Sequence, residues 1–91
     1  MDDIVIIPAG KRTQQTVDVS NPISGYHVAN KDDDGTPNYY GFVNVKGEWY
    51  ILKETVLAGN DTYRYVKGAN NFATNWTNRA ALTYDYFYNI F

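Results

Sequence analysis

The stretch YYGFVNVKGEWYILKE, residues 39–54, constrains the fold of this chain more than any other segment. Two runs rich in aromatic and β-branched residues, 39–45 and 48–56, stand on either side of Lys46-Gly47, and such residues are typical of β-strands. A glycine in so short a connection supplies the positive φ that a tight hairpin turn needs. The pattern therefore predicts two antiparallel strands, at residues 39–45 and 48–56, joined by a tight turn at Lys46-Gly47.

A third strand is predicted at residues 62–67, TYRYVK, after a turn at residues 58–61. The three strands would form a β-meander, a small antiparallel sheet over residues 39–67. Alternation divides the side chains between two faces: Tyr40 and Phe42 against Tyr39, Val43 and Val45 in the first strand, and Trp49 and Ile51 against Tyr50 and Leu52 in the second. Both faces are apolar, so we expect one to pack on a helix and the other on a partner or on the N-terminal segment.

The C-terminal stretch TYDYFYNIF, residues 83–91, fits two structures. Thr83 would cap a helix whose residues Phe87, Ile90 and Phe91 share one face. The alternation of Tyr84, Tyr86 and Tyr88 would suit a strand equally well. We favour a short C-terminal helix, preceded by a loop or turn over residues 75–79.

The composition changes near residue 38, and this change divides the chain. Residues 1–38 contain all three prolines and carry a net charge of −3, whereas residues 39–91 contain fourteen of the fifteen aromatic residues and carry +1. Short strands are predicted at residues 3–7, 16–20 and 26–29, and such strands are not stable in isolation. We therefore expect residues 1–38 to form an extended N-terminal arm that lies on the compact unit of residues 39–91, on a neighbouring subunit or on another protein.

Composition also excludes several classes of protein. The chain has no cysteine, which excludes disulfides and thiolate metal sites and favours a reducing compartment. The start, MDDIVIIPAGKR, places acids where a secretory signal needs bases, and no apolar run approaches the roughly 20 residues of a membrane span. The net charge of −2 argues against a nucleic-acid partner. We expect neither nucleic-acid binding nor membrane insertion.

No catalytic, cofactor or metal site is predicted. The sequence NKDDDG at residues 30–35 resembles the start of a calcium loop, but Gly41 stands where the loop needs its twelfth-position carboxylate. His27 is the only histidine, and no second ligand or catalytic partner accompanies it. Glu48 and Glu54 fall on different parts of one strand. We interpret the acidic stretch as a solvated turn and expect that the chain is not an enzyme.

The aromatic residues are the remaining candidates for function. Their rings could fill the core of a small domain, anchor a protein interface, or stack on the apolar face of a sugar. Fourteen rings exceed what so small a core can enclose, so we expect some to face a partner. The candidate interface residues are Ile4, Val5, Ile6, Ile7, Val17, Val19, Tyr39, Trp49, Tyr50, Trp76 and Tyr86.

Two resemblances involve the same stretch. GFVNVKGEWYIL is similar to a choline-binding or cell-wall-binding repeat, but those repeats bind between successive copies and this chain has a single copy. The order YYGFV, WYI and TYRYVKG, followed by NWTNRAALTYDYF, resembles a small module of tailed bacteriophages, encoded near their virion structural genes. That resemblance implies a virion component, either a tail- or fibre-associated piece or a capsid accessory. The extended arm and the lack of cysteine and of a signal sequence lead us to expect synthesis in the bacterial cytoplasm, other virion proteins as partners and a homo-oligomeric state. The alternative is a carbohydrate-binding or adhesin module using exposed aromatic residues such as Trp49, Tyr50 or Trp76.

Overall fold

The computed structural model describes residues 21–91, so the strands predicted at residues 3–7 and 16–20 lie outside it. The elements are β1 (His27–Asp32), β2 (Asn38–Val43), β3 (Trp49–Thr55), β4 (Thr62–Gly68), α1 (Phe72–Thr77), a 3-10 turn (Arg79–Ala81) and α2 (Phe87–Ile90). The strands form one antiparallel sheet in the order β1-β2-β3-β4. The predicted fold class, mainly β with a short C-terminal helix, is confirmed.

The first strand of the sheet comes from the N-terminal segment. Residues 26–29 were predicted as one of three short arm strands, and β1 covers most of that range. It pairs antiparallel with β2, from His27 opposite Val43 to Asp32 opposite Tyr39, with a bulge between Val28 and Asn30. Of the three locations considered for this strand, the structure places it on the C-terminal unit.

The β2–β3 turn is longer than predicted. Val43 pairs with Trp49, and the backbone of Asn44 bonds to Glu48, so the loop holds three residues rather than Lys46-Gly47 alone. Gly47 has φ of +84°, which confirms the expected positive φ. Val45, assigned to the first strand from alternation, instead lies in the loop and is 97% exposed. The Asn44 side chain causes this difference, because it bonds to the loop backbone and ends the strand early.

Helix α1 was not predicted, and the expectation of a loop over residues 75–79 is wrong for residues 75–77. The sequence FATNWT contains poor helix formers, and the residue before the helix, Asn71, has φ of +60° and caps no backbone group with its side chain. The helix forms because Phe72 and Trp76, one turn apart, both pack on the sheet. They lie directly over Gly41, where a side chain would collide with both rings.

The C-terminal helix begins at Phe87, not after a Thr83 cap. Asp85 instead forms an isolated bridge to β4, in which its N–H and C=O bond to the backbone of Tyr65 at 2.9 and 2.7 Å. The segment is therefore extended first and helical afterwards. Phe87 and Phe91 share a helix face as predicted, with ring centroids 4.7 Å apart.

The C-terminal segment crosses the β4 edge and covers both faces of the sheet. On the first face, Tyr39, Trp49 and Ile51 pack against α1, Leu82 and Tyr84. On the second face, Phe42, Tyr50 and Tyr65 form a ring cluster that contacts Tyr26, Phe87 and Phe91. Both faces were expected to need a cover, and the described part of the chain supplies much of it. Within residues 21–91, no helix is long and apolar enough to cross a membrane.

Candidate functional surface

Three of the predicted interface rings are buried inside the chain. Tyr39, Trp49 and Tyr50 are 8, 3 and 5% exposed. Trp49 also donates its indole N–H to the carbonyl of Asn70 at 2.6 Å, which satisfies its only polar group. These rings belong to the core, so in the folded chain Trp49 and Tyr50 cannot stack on a sugar.

Trp76 is half-buried between the sheet and an arginine. Its ring contacts Phe72 at 6.0 Å between centroids, and the Arg79 guanidinium lies 4.6 Å from the ring centroid. Arg79 also donates an N–H to the Trp76 carbonyl at 2.8 Å. The predicted interface role of Trp76 is thus limited to the part of its ring that these neighbours leave uncovered.

Arg79 forms an ion pair that connects the first strand to the turn after α1. Its Nε and Nη2 both donate to Asp32 Oδ2, at 3.2 and 2.8 Å. This hydrogen bond, together with the charge of the guanidinium, lowers the pKa of Asp32. Tyr84 donates its hydroxyl to the Arg79 carbonyl at 2.8 Å. The interpretation of residues 30–35 as a solvated turn is therefore wrong for residues 30–32, which belong to β1, and the ion pair of Asp32 was not predicted.

Glu54 holds three neighbouring side chains on the second face of the sheet. Its Oε1 accepts from Asn38 Nδ2 and the Tyr40 hydroxyl at 3.2 and 3.3 Å, and its Oε2 accepts from the Tyr63 hydroxyl at 3.2 Å. The bond and the negative charge raise the pKa of Tyr63. Glu54 therefore organises the end of the sheet. Among residues 21–91, no three metal-ligating side chains come together in one place.

Two exposed aromatic side chains form a stack beside β4. Tyr86 and Tyr88, 44 and 75% exposed, are parallel within 15° with centroids 5.2 Å apart. The Arg64 guanidinium lies 3.9 Å from the centroid of the Tyr86 ring. We call Arg64, Tyr86 and Tyr88 the tyrosine stack. Tyr86 was a predicted interface residue, and it is the only one of the five described candidates that is exposed.

The backbone around the tyrosine stack is firmly held. The bridge between Asp85 and Tyr65 lies directly before it, and Asp85 Oδ1 accepts from the Tyr86 N–H at 2.7 Å and from Asn89 Nδ2 at 3.2 Å. Phe87 packs edge-on against Tyr65 on the second face of the sheet. The two tyrosines are therefore presented to solvent from an ordered position. Their strand-like alternation in the sequence was the signal that could have identified Tyr88.

The outer edge of β1 is the second exposed feature. Every residue of β1 except Asp32 is exposed, and Val28 is 63% exposed. Within the described part of the chain, β1 pairs only with β2, so the backbone groups on its other side have no strand partner. By contrast, the opposite edge of the sheet is partly covered by Asp85.

A small cleft lies where the β2–β3 loop meets the end of β4. Its volume is about 270 Å³, and it is lined by Tyr26, Glu48, Lys67, Gly68 and Ala69. A carboxylate and an ammonium group both line it, and no pattern in the sequence indicated that the two would lie at one cleft.

No family model, no curated protein and no solved structure matches this chain. The resemblance to a bacteriophage module therefore depends on the residues quoted for it and stays a prediction.

Proposed function

We propose that this chain is a non-enzymatic structural protein of a bacteriophage virion, which assembles with copies of itself and with other virion proteins. The resemblance of residues 39–91 to a phage module supports the virion assignment. The observation that carries the assembly proposal is the outer edge of β1, which pairs with no strand among residues 21–91. A sheet edge with unpaired N–H and C=O groups can accept a strand from another chain, and such strand addition is a common mode of recognition.

The side chains of β1 favour a selective partner over indiscriminate pairing. The bulge between Val28 and Asn30 interrupts a regular ladder, and Lys31 places a charge on the edge. Both features disfavour accidental edge-to-edge association. Exposed Val28, opposite Phe42 in the register, supplies an apolar position that a partner strand would cover.

The proposed partner strands are the β-branched segments of the N-terminal arm of a neighbouring copy. Ile4, Val5, Ile6, Ile7, Val17 and Val19 are their apolar residues, and all lie outside the described structure. Burying a valine or isoleucine side chain contributes about 1.5–3 kcal/mol, so a few such contacts would stabilise an assembly.

A charge on β1 tests this proposal. We expect the full-length chain to form a defined oligomer by light scattering coupled to size-exclusion chromatography. Val28→Lys should shift it to the monomer, because a buried ammonium on the new interface has no partner. Val45→Lys is the matched control, since Val45 lies in the β2–β3 loop and is almost fully exposed. A full-length chain that stays monomeric at every concentration, or equal behaviour of the two variants, contradicts assembly through β1.

The virion assignment needs a separate experiment. In cultures that express the chain natively, we expect it to co-sediment with phage particles through a caesium chloride gradient and to resist removal by high salt. A chain found only in the soluble fraction, with none in purified particles, would exclude the virion role while leaving the assembly proposal intact.

The tyrosine stack supports a second candidate function, the binding of a glycan. Tyr88 is 75% exposed, and the same segment carries the Asp85 carboxylate and the Asn89 carboxamide, which are hydrogen-bonded to each other. Ring faces stack on the apolar side of a pyranose while such polar groups bind its hydroxyls. Calorimetric titration with chitotetraose and maltotetraose should show binding that Tyr88→Ala abolishes. Tyr63→Ala, an exposed tyrosine outside the stack, is the control, and absence of heat with both sugars argues against this candidate.

A further inference from the structure

The cleft beside the β2–β3 loop brings together two opposite charges that do not pair with each other. Glu48 and Lys67 both line it, yet no ion pair joins them. Both groups therefore face the cleft without neutralising each other by direct contact. The cleft has a volume of about 270 Å³, and Tyr26, Gly68 and Ala69 complete its lining.

The groups that line the cleft are held in place by the fold. Glu48 Oε1 accepts from Asn44 Nδ2 at 2.7 Å, which fixes the carboxylate against the loop. The Tyr26 ring packs edge-on against Tyr50 with centroids 5.1 Å apart. The Lys67 ammonium lies 5.1 Å from the centroid of the Phe91 ring. A site whose polar groups are held before a ligand arrives loses less entropy on binding.

Gly68, which lines the cleft, has no room for a side chain. A Cβ at that position would collide with the Trp49 indole. Trp49 is itself fixed by its bond to the Asn70 carbonyl. Gly68 therefore allows β4 to approach the Trp49 indole, and its backbone forms part of the lining of the cleft.

We propose that this cleft binds a small zwitterion that carries both an ammonium and a carboxylate, such as a free amino acid. Glu48 receives the ammonium and Lys67 receives the carboxylate, with the Tyr26 hydroxyl available beside Glu48. A ligand with a single charge is attracted by one of these groups and repelled by the other, whereas a zwitterion is attracted by both. The volume suits this class, because pockets for drug-sized ligands begin at about 300 Å³.

The Tyr26 hydroxyl is in a protonation state that suits hydrogen bonding to the ligand. Burial and, second, the negative charge of Glu48 raise the pKa of Tyr26. The phenol is therefore protonated at neutral pH, and beside Glu48 its oxygen can accept a hydrogen bond from the ammonium of the ligand.

Titrations with three matched probes test the proposal. γ-Aminobutyrate carries both charges, while butyrate and butylamine each carry one. In ¹H–¹⁵N spectra of the full-length chain, the amide peaks of Gly68 and Ala69 should shift saturably with γ-aminobutyrate. The two single-charge probes should bind about tenfold more weakly or not at all.

Two variants assign the charges to their roles. Glu48→Gln keeps an oxygen for Asn44 and should bind γ-aminobutyrate no more tightly than wild type binds butyrate. Lys67→Met keeps the apolar stem beside Phe91 and should reduce binding to the level of butylamine. An unchanged peak for the Trp49 indole N–H shows that each variant is folded. Linear, non-saturating shifts, equal binding of all three probes, or wild-type affinity in either variant overturns the proposal.

Discussion

Two glycines determine how closely aromatic rings approach the sheet. A Cβ at Gly41 would lie 2.7 Å from Phe72 Cζ and 2.9 Å from Trp76 Cε3, and Gly68 stands in the same relation to the Trp49 indole. Neither glycine has a positive φ, so the backbone conformation does not require glycine at these positions. Their role is to leave space for the rings, and this role depends on residues distant in the sequence.

Gly41→Ala should destabilise the chain because the added methyl group must displace the two rings of α1. Overpacking of this kind costs about 1–3 kcal/mol of unfolding free energy. Urea denaturation followed by tryptophan fluorescence measures the change. Gly35→Ala is the matched control, since a Cβ there meets nothing within 4 Å, and its effect should stay within about 0.5 kcal/mol. Equal effects of both substitutions would mean that α1 does not pack on Gly41.

Asp32→Asn should reduce the dependence of the unfolding free energy on pH in the acidic range. Arg79 holds the pKa of Asp32 below its ordinary value, so the ion pair stabilises the fold above the unfolded-state pKa of about 3.9. That stability is lost as the pH falls through the lower pKa of the folded state. Urea midpoints from about pH 2 to 7 should therefore fall less steeply for the variant. Asp33→Asn, which removes an exposed contact to Lys31, should leave the wild-type slope, and the opposite ranking contradicts the assignment.

The β2–β3 hairpin is a local structure whose turn is closed by one side chain. Asn44 Oδ1 accepts from the N–H groups of Lys46 and Glu48, both at 3.0 Å, and its Nδ2 donates to the Glu48 carboxylate. These bonds satisfy loop groups that would otherwise need water. The β2–β3 turn is therefore stabilised by residues of the hairpin itself, whereas α1 and α2 depend on contacts with the sheet.

Asn44→Ala should reduce the unfolding free energy by about 1–2 kcal/mol, because two loop N–H groups lose their acceptor. Thermal and urea unfolding of the full-length chain measure the loss. Asn60→Ala in the β3–β4 turn is the control. The backbone N–H of Asn60 makes a turn hydrogen bond, but among residues 21–91 its side chain makes none. Comparable losses in the two variants would show that the bonds of the Asn44 side chain contribute little.

Within residues 21–91, the C-terminal segment packs on both faces of the four-stranded sheet. Residues after β4 cross from the first face to the second, and the Asp85 bridge fixes the crossing point. Only Ile51 is completely buried among the described side chains, so the core consists mainly of tyrosine and tryptophan rings. Because several core rings are phenols, the unfolding free energy should depend on pH in the alkaline range.

Stability should fall above about pH 10, where phenols in the unfolded chain ionise. Burial raises the pKa of Tyr50 and Tyr84 in the fold, so the folded chain binds more protons than the unfolded chain and stability decreases with pH. Urea midpoints between about pH 9 and 12 should fall less steeply in Tyr84→Phe than in wild type. Tyr88→Phe, an exposed tyrosine, should retain the wild-type slope. An unchanged slope in Tyr84→Phe would contradict burial of its hydroxyl.

The predicted elements differ in accuracy for a physical reason. The strands at residues 39–45, 48–56 and 62–67 are close to β2, β3 and β4, because period-two alternation reflects the backbone itself. Helix α1 was missed because its residues have weak intrinsic preference and its stability comes from packing over Gly41. Thr83 failed as a helix cap because pairing of Asp85 with β4 satisfies backbone groups that the helix would have used.

The candidate surfaces were less predictable than the strands. Alternation along β3 places Trp49 and Tyr50 on opposite faces of the sheet, but it does not predict which face a later segment covers. In the structure both rings are buried. The same limit applies to Tyr86 and Tyr88, whose exposure follows from the position at which the chain crosses β4. The tyrosine stack and the Glu48–Lys67 cleft each combine residues from separate parts of the sequence.

The sequence by itself determined the antiparallel meander, the position of the β2–β3 turn and the positive φ of Gly47, because each depends on neighbours a few residues apart. Tertiary structure alone decided which rings are buried and which distant side chains meet. Asp32 and Arg79 are 47 residues apart, and their ion pair exists only because β1 and the turn after α1 both lie next to Tyr39. Burial depends on what the whole chain places over a residue, and that information is not present in any local pattern.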